Sequence, residues 1–193
     1  MKRNRETLKK YKFLIKICFI IIKIFPKFIR KGILNFNRRN SSKFAMLLNF
    51  ILVKSLCKSC GENVAIFSNV YLLNLENLTI GNNVSIHPMT YIDAKGGILI
   101  GNDVSIAHST TILSSEHIYD KFDVPIKDQG VSLKKTVINN NVWIGAGVRI
   151  LAGSVIGEGC IVGSSAVVKG RTDENFIYAG IPAKKMKKRV GEF

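Results

Sequence analysis

Three histidines stand in this 193-residue chain, His87, His108 and His117. His117, in "ILSSEHIYD", comes just before Tyr119–Val137, a stretch that interrupts an otherwise regular apolar pattern. A neutral imidazole near pH 7 can take a proton from a hydroxyl while that hydroxyl attacks an acyl carbon. A break in a regular scaffold is also where a loop can enclose a substrate. The alternative is that His117 is a plain surface side chain beside a loop. His108, in "IAHST", reads as surface. Separations of 21 and 9 residues do not make the three histidines a zinc-ligand set. Cys57 and Cys60 form C-x-x-C, but there is no second pair for a metal and no βαβ context for redox work. No metal constellation is visible. Four cysteines without disulfide logic predict a reduced, cytoplasmic chain.

The scaffold that must position His117 is written in a period of six. Ile138, Ile144, Ile150, Ile156, Val162 and Val168 keep one register, and the spacing recurs at Ile80, Ile86, Ile92 and at Ile100, Ile106, Ile112, Ile118. It extends weakly to Ile66 and Leu72. Small or β-branched residues follow four positions later, at Val84, Val104, Val142, Val148, Ser154, Cys160 and Ala166. Gly, Asn and Asp mark the corners, as in "IGNNVS" and "IGNDVS". Six is neither the helical nor the plain strand period. It is the mark of an all-β parallel β-helix, in which each hexapeptide forms one wall of a triangular coil. Two-residue slips at Leu72→Ile80 and Ile92→Ile100 predict longer corners. The break at 119–137 predicts a protruding loop, with a disordered insertion as the alternative.

The chain divides into a basic extension (1–60), the coils (61–183) and a basic tail (184–193). Net charge is +16; residues 1–60 hold sixteen Lys and Arg against one acid, Glu6. The charge lies outside the repeat and no nucleic-acid motif accompanies it, so no nucleic-acid partner is expected. In the extension, Lys9, Lys12, Lys16, Lys23, Lys27 and Lys31 form one helical stripe, with Phe, Ile and Leu around the rest. Pro26 ends or kinks that helix near Phe25. Lys16 and Lys23 interrupt the only apolar run, which argues against a transmembrane span, and no cleavage site suggests a signal peptide. Two readings remain open: a helix on an anionic membrane surface, on the inner face, or a helix packed on the solenoid or across an oligomer.

The segments "NNNVWIGAGVRILAGSVIGEGCIVGSSAVV" and "IYAGIPAKKMKK" resemble the hexapeptide-repeat acyltransferases, most closely the maltose and galactoside O-acetyltransferases and their surface-polysaccharide relatives. The likeness spans about residues 61–189. It implies a left-handed parallel β-helix, a homotrimer, acetyl-CoA as donor without a metal, and sites between adjacent subunits. It implies His117 as general base, the Ala146 backbone N–H facing the thioester oxyanion, and Trp143, whose ring should face outward because it precedes the inward Ile144, against the substrate. Gly145, Ser164, Ser165, Lys184 and Lys187 fall at coenzyme positions, and Asp93 at an acceptor position with His87 as a weaker companion. The chain departs from the family at Gly170, where Lys is common; Lys169 and Arg171 are the substitutes at hand.

The expected activity is O-acetylation of a saccharide, in capsule or lipopolysaccharide biosynthesis, by direct transfer in a ternary complex. N-acetylation of an amino sugar or nucleotide sugar would use the same histidine and fold. A non-catalytic hexapeptide scaffold is the alternative from another class.

Overall fold

The structure, a computed structural model, describes residues 12–189. Three short strands make each coil. Ser59–Cys60 (β1), Ala65–Ile66 (β2) and Tyr71–Leu73 (β3) open the solenoid. Leu78–Ile80 (β4), Ser85–Ile86 (β5) and Tyr91–Asp93 (β6) follow, then Ile98–Ile100 (β7), Ser105–Ile106 (β8) and Thr111–Leu113 (β9). Here the chain leaves the coil for a hairpin, Ser115–His117 (β10) and Val131–Leu133 (β11). It returns as Thr136–Ile138 (β12), Trp143–Ile144 (β13) and Arg149–Ile150 (β14). Val155–Ile156 (β15), Ile161–Val162 (β16) and Val167–Val168 (β17) make the next coil; Phe176–Ala179 (β18) and Lys184–Lys188 (β19) end the chain's described part. The three walls are parallel sheets of order β1-β4-β7-β12-β15, β2-β5-β8-β13-β16-β18 and β3-β6-β9-β14-β17, here called walls A, B and C. The result is a left-handed parallel β-helix of about six turns.

The hexapeptide register becomes the core directly. Ile80, Ile100, Ile138 and Ile156 stack on wall A. Ile66, Ile86, Ile106, Ile144 and Val162 stack on wall B, and Leu72, Ile92, Ile112, Ile150 and Val168 on wall C. The small residues four positions on, Val84 to Ala166, are buried between them. The corners explain "GNN" and "GND". Asn63, Asn83, Asp103 and Asn141 take the left-handed conformation that Asn and Asp tolerate. The glycine before them answers a different need. A Cβ on Gly101 would lie 2.8 Å from the Asn139 carbonyl carbon of the coil above. Asparagine amides then bridge coils: the Asn82 N–H donates to Asn102 Oδ1 at 2.8 Å and the Asn102 N–H to Asn140 Oδ1 at 2.9 Å.

Two expectations need correction. Ile118 is not a core position: its N–H donates to Gly130 O within the hairpin. The protrusion is wider at its start and narrower at its end than 119–137, because the chain departs at Ser115 and Thr136 is already back on wall A. Ile118 keeps the six-residue count only by coincidence, because the chain has already left the coil at Ser115.

The extension is three helices, Lys12–Ile24 (α1), Lys27–Asn37 (α2) and Lys43–Leu56 (α3). Pro26 separates the first two, as its missing N–H requires. Ser42 caps α3, its hydroxyl accepting from the Ala45 N–H. α3 plugs the bottom of the solenoid with Phe50, Ile51, Val53 and Leu56, which join the coil core. The buried Arg30 guanidinium of α2 donates to Ser55 O at 2.7 Å, in the last turn of α3, where the helix dipole favours a cation. Asn37 bonds the buried Asn49 at 2.8 Å, and the Arg38 guanidinium lies 4.0 Å from the Tyr71 ring centre. Among the described residues, α1 packs on the core through Ile15, Phe19 and Ile22. Phe13, Leu14, Ile17, Ile20, Ile21, Ile24, Phe25 and Phe28 remain exposed. Lys9 and the last four residues, 190–193, lie outside the described residues.

Candidate active site

The hairpin is seated on buried hydroxyls. Ser114 Oγ donates to Asp93 O at 2.8 Å and accepts from the Gly96 N–H at 2.9 Å. Thr136 Oγ1 donates to Leu113 O at 2.7 Å, tying the departing and returning strands together. Both residues are fully buried. β10 and β11 then pair antiparallel, with Ser115 opposite Leu133, Glu116 opposite Ser132 and His117 opposite Val131. Opposed residues share a face and successive ones alternate. His117 therefore lies on the Ser115–Leu133 face, exposed. Glu116 lies on the other face and pairs with Lys134, whose hydrogen bond holds the carboxyl below its ordinary pKa. Glu116 is thus not what orients His117. At the tip, Gln129 accepts from the Lys121 N–H at 3.0 Å and donates to Lys121 O and Val124 O, both at 2.7 Å. This leaves Tyr119, Phe122 and Ile126 projecting into solvent.

The residues expected at the donor site lie elsewhere, on wall B. Trp143 alternates with the buried Ile144 and points outward, 54% exposed. Below it in the same column are Ser105 and Ser85, hydrogen bonded to each other at 3.2 Å. Two positions further on runs a second column: His87, Ala107, Gly145, Gly163, Ala179 and Lys184. Gly145 is required there by contact, because a Cβ would lie 2.7 Å from Ser164 N and 2.8 Å from Val162 O. Among the described residues the Ala146 N–H meets no acceptor, while the Ala146 carbonyl accepts from Ser165 N at 2.7 Å. Ser164 and Ser165 are exposed at the same corner, one coil higher. β19 folds back antiparallel on β18, setting Lys184 beside Ala179 and Lys187 beside Ile177. Lys184 is three strand steps from Gly145, or roughly 14 Å along the axis.

So one chain gathers Trp143, Gly145, Ala146, Ser164, Ser165, Lys184 and Lys187 along one wall, and holds His117 on a hairpin rooted at the opposite corner. Asp93 is on wall C at the hairpin's root, where its Oδ1 accepts from Asn74 Nδ2 at 2.6 Å and the Lys95 N–H at 3.1 Å. His87 is not with Asp93. It is on the wall B side, stacked on Phe67 at 4.6 Å between ring centres. The two are six residues apart, one wall of the triangle, and that spacing separates them. Gly170 has φ +89°, a conformation costly for the lysine common there. Lys169 is exposed and acts electrostatically on Glu116, and Arg171 bridges Val155 on wall A. The C-x-x-C pair sits under α3. Burial pushes both thiols up, Cys60 to about 12. Among the described residues no group of three or more His, Cys, Asp and Glu could hold a metal.

The bacterial transferase hexapeptide pattern (six repeats) matches residues 135–170. A candidate acetyltransferase of Mycobacterium tuberculosis is 42% identical over 78 residues, 40% of this chain and 26% of its own length. A candidate lipopolysaccharide-biosynthesis O-acetyltransferase of Escherichia coli, WbbJ, is 39% identical over 66 residues, 34% of each chain. Over these stretches the chain is similar to the hexapeptide-repeat acyltransferases. It spans about a quarter to a third of the length of these curated relatives. Among solved structures, a hexapeptide-repeat-containing acetyltransferase of Vibrio cholerae in complex with acetyl coenzyme A shares the fold, with TM-score 0.74 at 23% identity, over 83% of this chain and 86% of that one. The Bacillus cereus N-acyltransferase AntD, in complex with dTDP-4-amino-4,6-dideoxyglucose and coenzyme A, gives TM-score 0.60 at 28% identity, over 72% and 88%.

Sequence reasoning missed two features near the site. The buried hydroxyls of Ser114 and Thr136 left no signal beyond the ordinary polarity of a loop. The exposed lysines Lys58, Lys95 and Lys135 are 37 and 40 residues apart, and only the solenoid's winding brings them to one cleft.

Proposed function

We propose that the protein transfers acetyl from acetyl-CoA to a hydroxyl of a saccharide acceptor in surface-polysaccharide biosynthesis, at sites shared between copies in a homotrimer. One observation carries this reading. The His117 hairpin leaves between the third and fourth coils, and Trp143, Gly145 and Ala146 are on the fourth coil, at the same height but on another wall. A three-fold axis parallel to the solenoid preserves height, so the hairpin of one copy meets wall B of the next. The projecting Tyr119, Phe122 and Ile126 give that encounter apolar surface to bury.

In this arrangement the neutral His117 imidazole takes the proton of the acceptor hydroxyl as its oxygen attacks the thioester carbonyl carbon. The Ala146 N–H donates to the oxyanion. Collapse breaks the C–S bond, and the imidazolium returns the proton to the departing coenzyme A thiolate. The pantetheine arm lies along Gly145, Gly163 and Ala179, where there is no side chain or only a methyl. Ser164 and Ser165 line it, and Lys184 and Lys187 meet the phosphates. Trp143 flanks the acceptor, and Asp93 and His87 are its more distant contacts. An amine in place of the hydroxyl would react by the same steps, so amino sugars belong in the acceptor screen.

The test is complementation. Co-expressed His117→Ala and Ser164→Trp chains, the second blocking the pantetheine path from an exposed position, each inactive alone, should recover a fraction of wild-type thiol release from acetyl-CoA, since mixed trimers contain sites with both halves intact. Two inactive parents giving an inactive mixture, or an active monomer by light scattering, would overturn the shared site.

The same reading places the enzyme at an anionic membrane surface. No helix among the described residues is long and apolar enough to cross a membrane. The apolar side of α1 is nevertheless bare beyond its contact with α3, and no acidic residue occurs between Glu6 and Glu62. Basic residues near an anionic surface contribute about 1 kcal/mol each. Removing residues 1–25 should abolish sedimentation with phosphatidylglycerol vesicles at low salt and leave coenzyme binding unchanged, because α2 and the α3 plug remain. A full-length protein that ignores such vesicles would assign α1 to contacts between copies.

A further inference from the structure

Beside the root of the hairpin, on the outer face of wall A, lies a cleft of about 360 Å³. Its floor is Thr79 and Leu99, consecutive outward residues of the wall, and one side is Leu133 of the hairpin. Three lysines line it: Lys58 at the entry to the first coil, Lys95 at the corner after the second, and Lys135 where the hairpin rejoins the solenoid. The Lys135 stem passes over Gly97, 3.8 Å from where a Cβ would stand. Among the described residues, no carboxylate lines the cleft. Lys31, Lys54, Lys134 and Lys185 are paired with acids, whereas among the described residues these three are not. Outside the extension the chain is nearly neutral, so three unpaired cations around one cleft form a local positive field suited to an anion.

The cleft is also continuous with the face that carries His117. Leu133 is opposite Ser115, and His117 is two residues on along the same face, roughly 7 Å away. That is a separation a sugar ring bridges. We propose that the cleft holds the phosphate of a phosphorylated saccharide acceptor, placing a hydroxyl on the far side of the ring at the imidazole. The inference rests on the acetyltransferase reading and narrows its substrate to a glycosyl phosphate or diphosphate. A nucleoside-diphosphate sugar and a lipid-diphosphate sugar present the same group to the lysines.

The test compares one sugar in four forms: free, as its 1-phosphate, as its nucleoside diphosphate and as its short-chain polyprenyl diphosphate. The phosphorylated forms should be acetylated with kcat/KM at least tenfold above the free sugar at low salt, an advantage that shrinks as salt rises. Which diphosphate is preferred identifies the source. The K58Q/K95Q/K135Q triple variant should raise KM for phosphorylated acceptors at least tenfold, with kcat, KM for acetyl-CoA and turnover of the free sugar unchanged. The corresponding triple arginine variant should restore binding. Equal use of free and phosphorylated sugars, with no effect of the triple variant, overturns the cleft while leaving acetyl transfer standing. Acetylation of none of the four counts against the enzymatic reading instead. Titration of inorganic pyrophosphate with coenzyme A saturating then decides the cleft alone: tenfold weaker binding to the glutamine variant supports it, and equal binding sinks it.

Discussion

Replacing His117 with alanine should lower acetyl transfer by at least about a hundredfold, the loss typical of a missing general base. The fold should not notice. The imidazole is exposed, so its removal opens no cavity. The pairing of His117 with Val131 is made by backbone, and the hairpin's seat is made by Ser114 and Thr136. Thermal unfolding and coenzyme A binding should therefore match wild type, and the defect should appear in kcat. Turnover within a few-fold of wild type would remove His117 from the chemistry and leave the hairpin a structural or acceptor-binding element.

The second large effect is on stability. Ile144→Ala removes a fully buried side chain between Ile106 and Val162, the coils on either side of it in wall B. A large-to-alanine change at such a site costs about 2–5 kcal/mol. A solenoid cannot collapse around the gap easily, because backbone ladders fix the coil spacing above and below. The urea midpoint should fall accordingly. Trp143 fluorescence should report loosening beside the donor wall before global unfolding, since stability in a repeat protein is largely local. An unchanged midpoint would mean that wall B carries much less of the core than its burial indicates.

The coils were legible in the sequence because one rule, an aliphatic residue every six, generates them. Ile80, Ile100, Ile138 and Ile156 land on one wall even though the hairpin intervenes between the second and third. Ile118 shows the limit of the rule: periodicity cannot tell a core residue from one that keeps the count after the chain has left the coil. The role of the corner glycines was half legible. "GNN" signals a turn, but the left-handed residue is the second asparagine, and the glycine is there to admit the next coil. The outward ring of Trp143 followed from its buried neighbour. The separation of His87 from Asp93 did not, because six residues is a short distance in sequence and a full wall in the solenoid. The extension exposed a different gap. Its composition identified apolar helices, yet only packing could assign Phe50 and Val53 to the solenoid plug and leave Phe13 and Ile20 bare.

A final consequence belongs to β19. A stack of parallel strands ends in a row of unpaired amides and carbonyls, and such a row templates another chain. In this protein the upper end of wall B is closed by a strand running the opposite way. Its sequence is Lys184-Lys185-Met186-Lys187-Lys188, exposed throughout. A second solenoid approaching end-on would meet the wrong strand polarity and four ammonium groups. At the lower end it would meet α3 in place of a coil. End-to-end stacking is thus opposed at the upper end of wall B by a reversed, basic strand and at the lower end by α3.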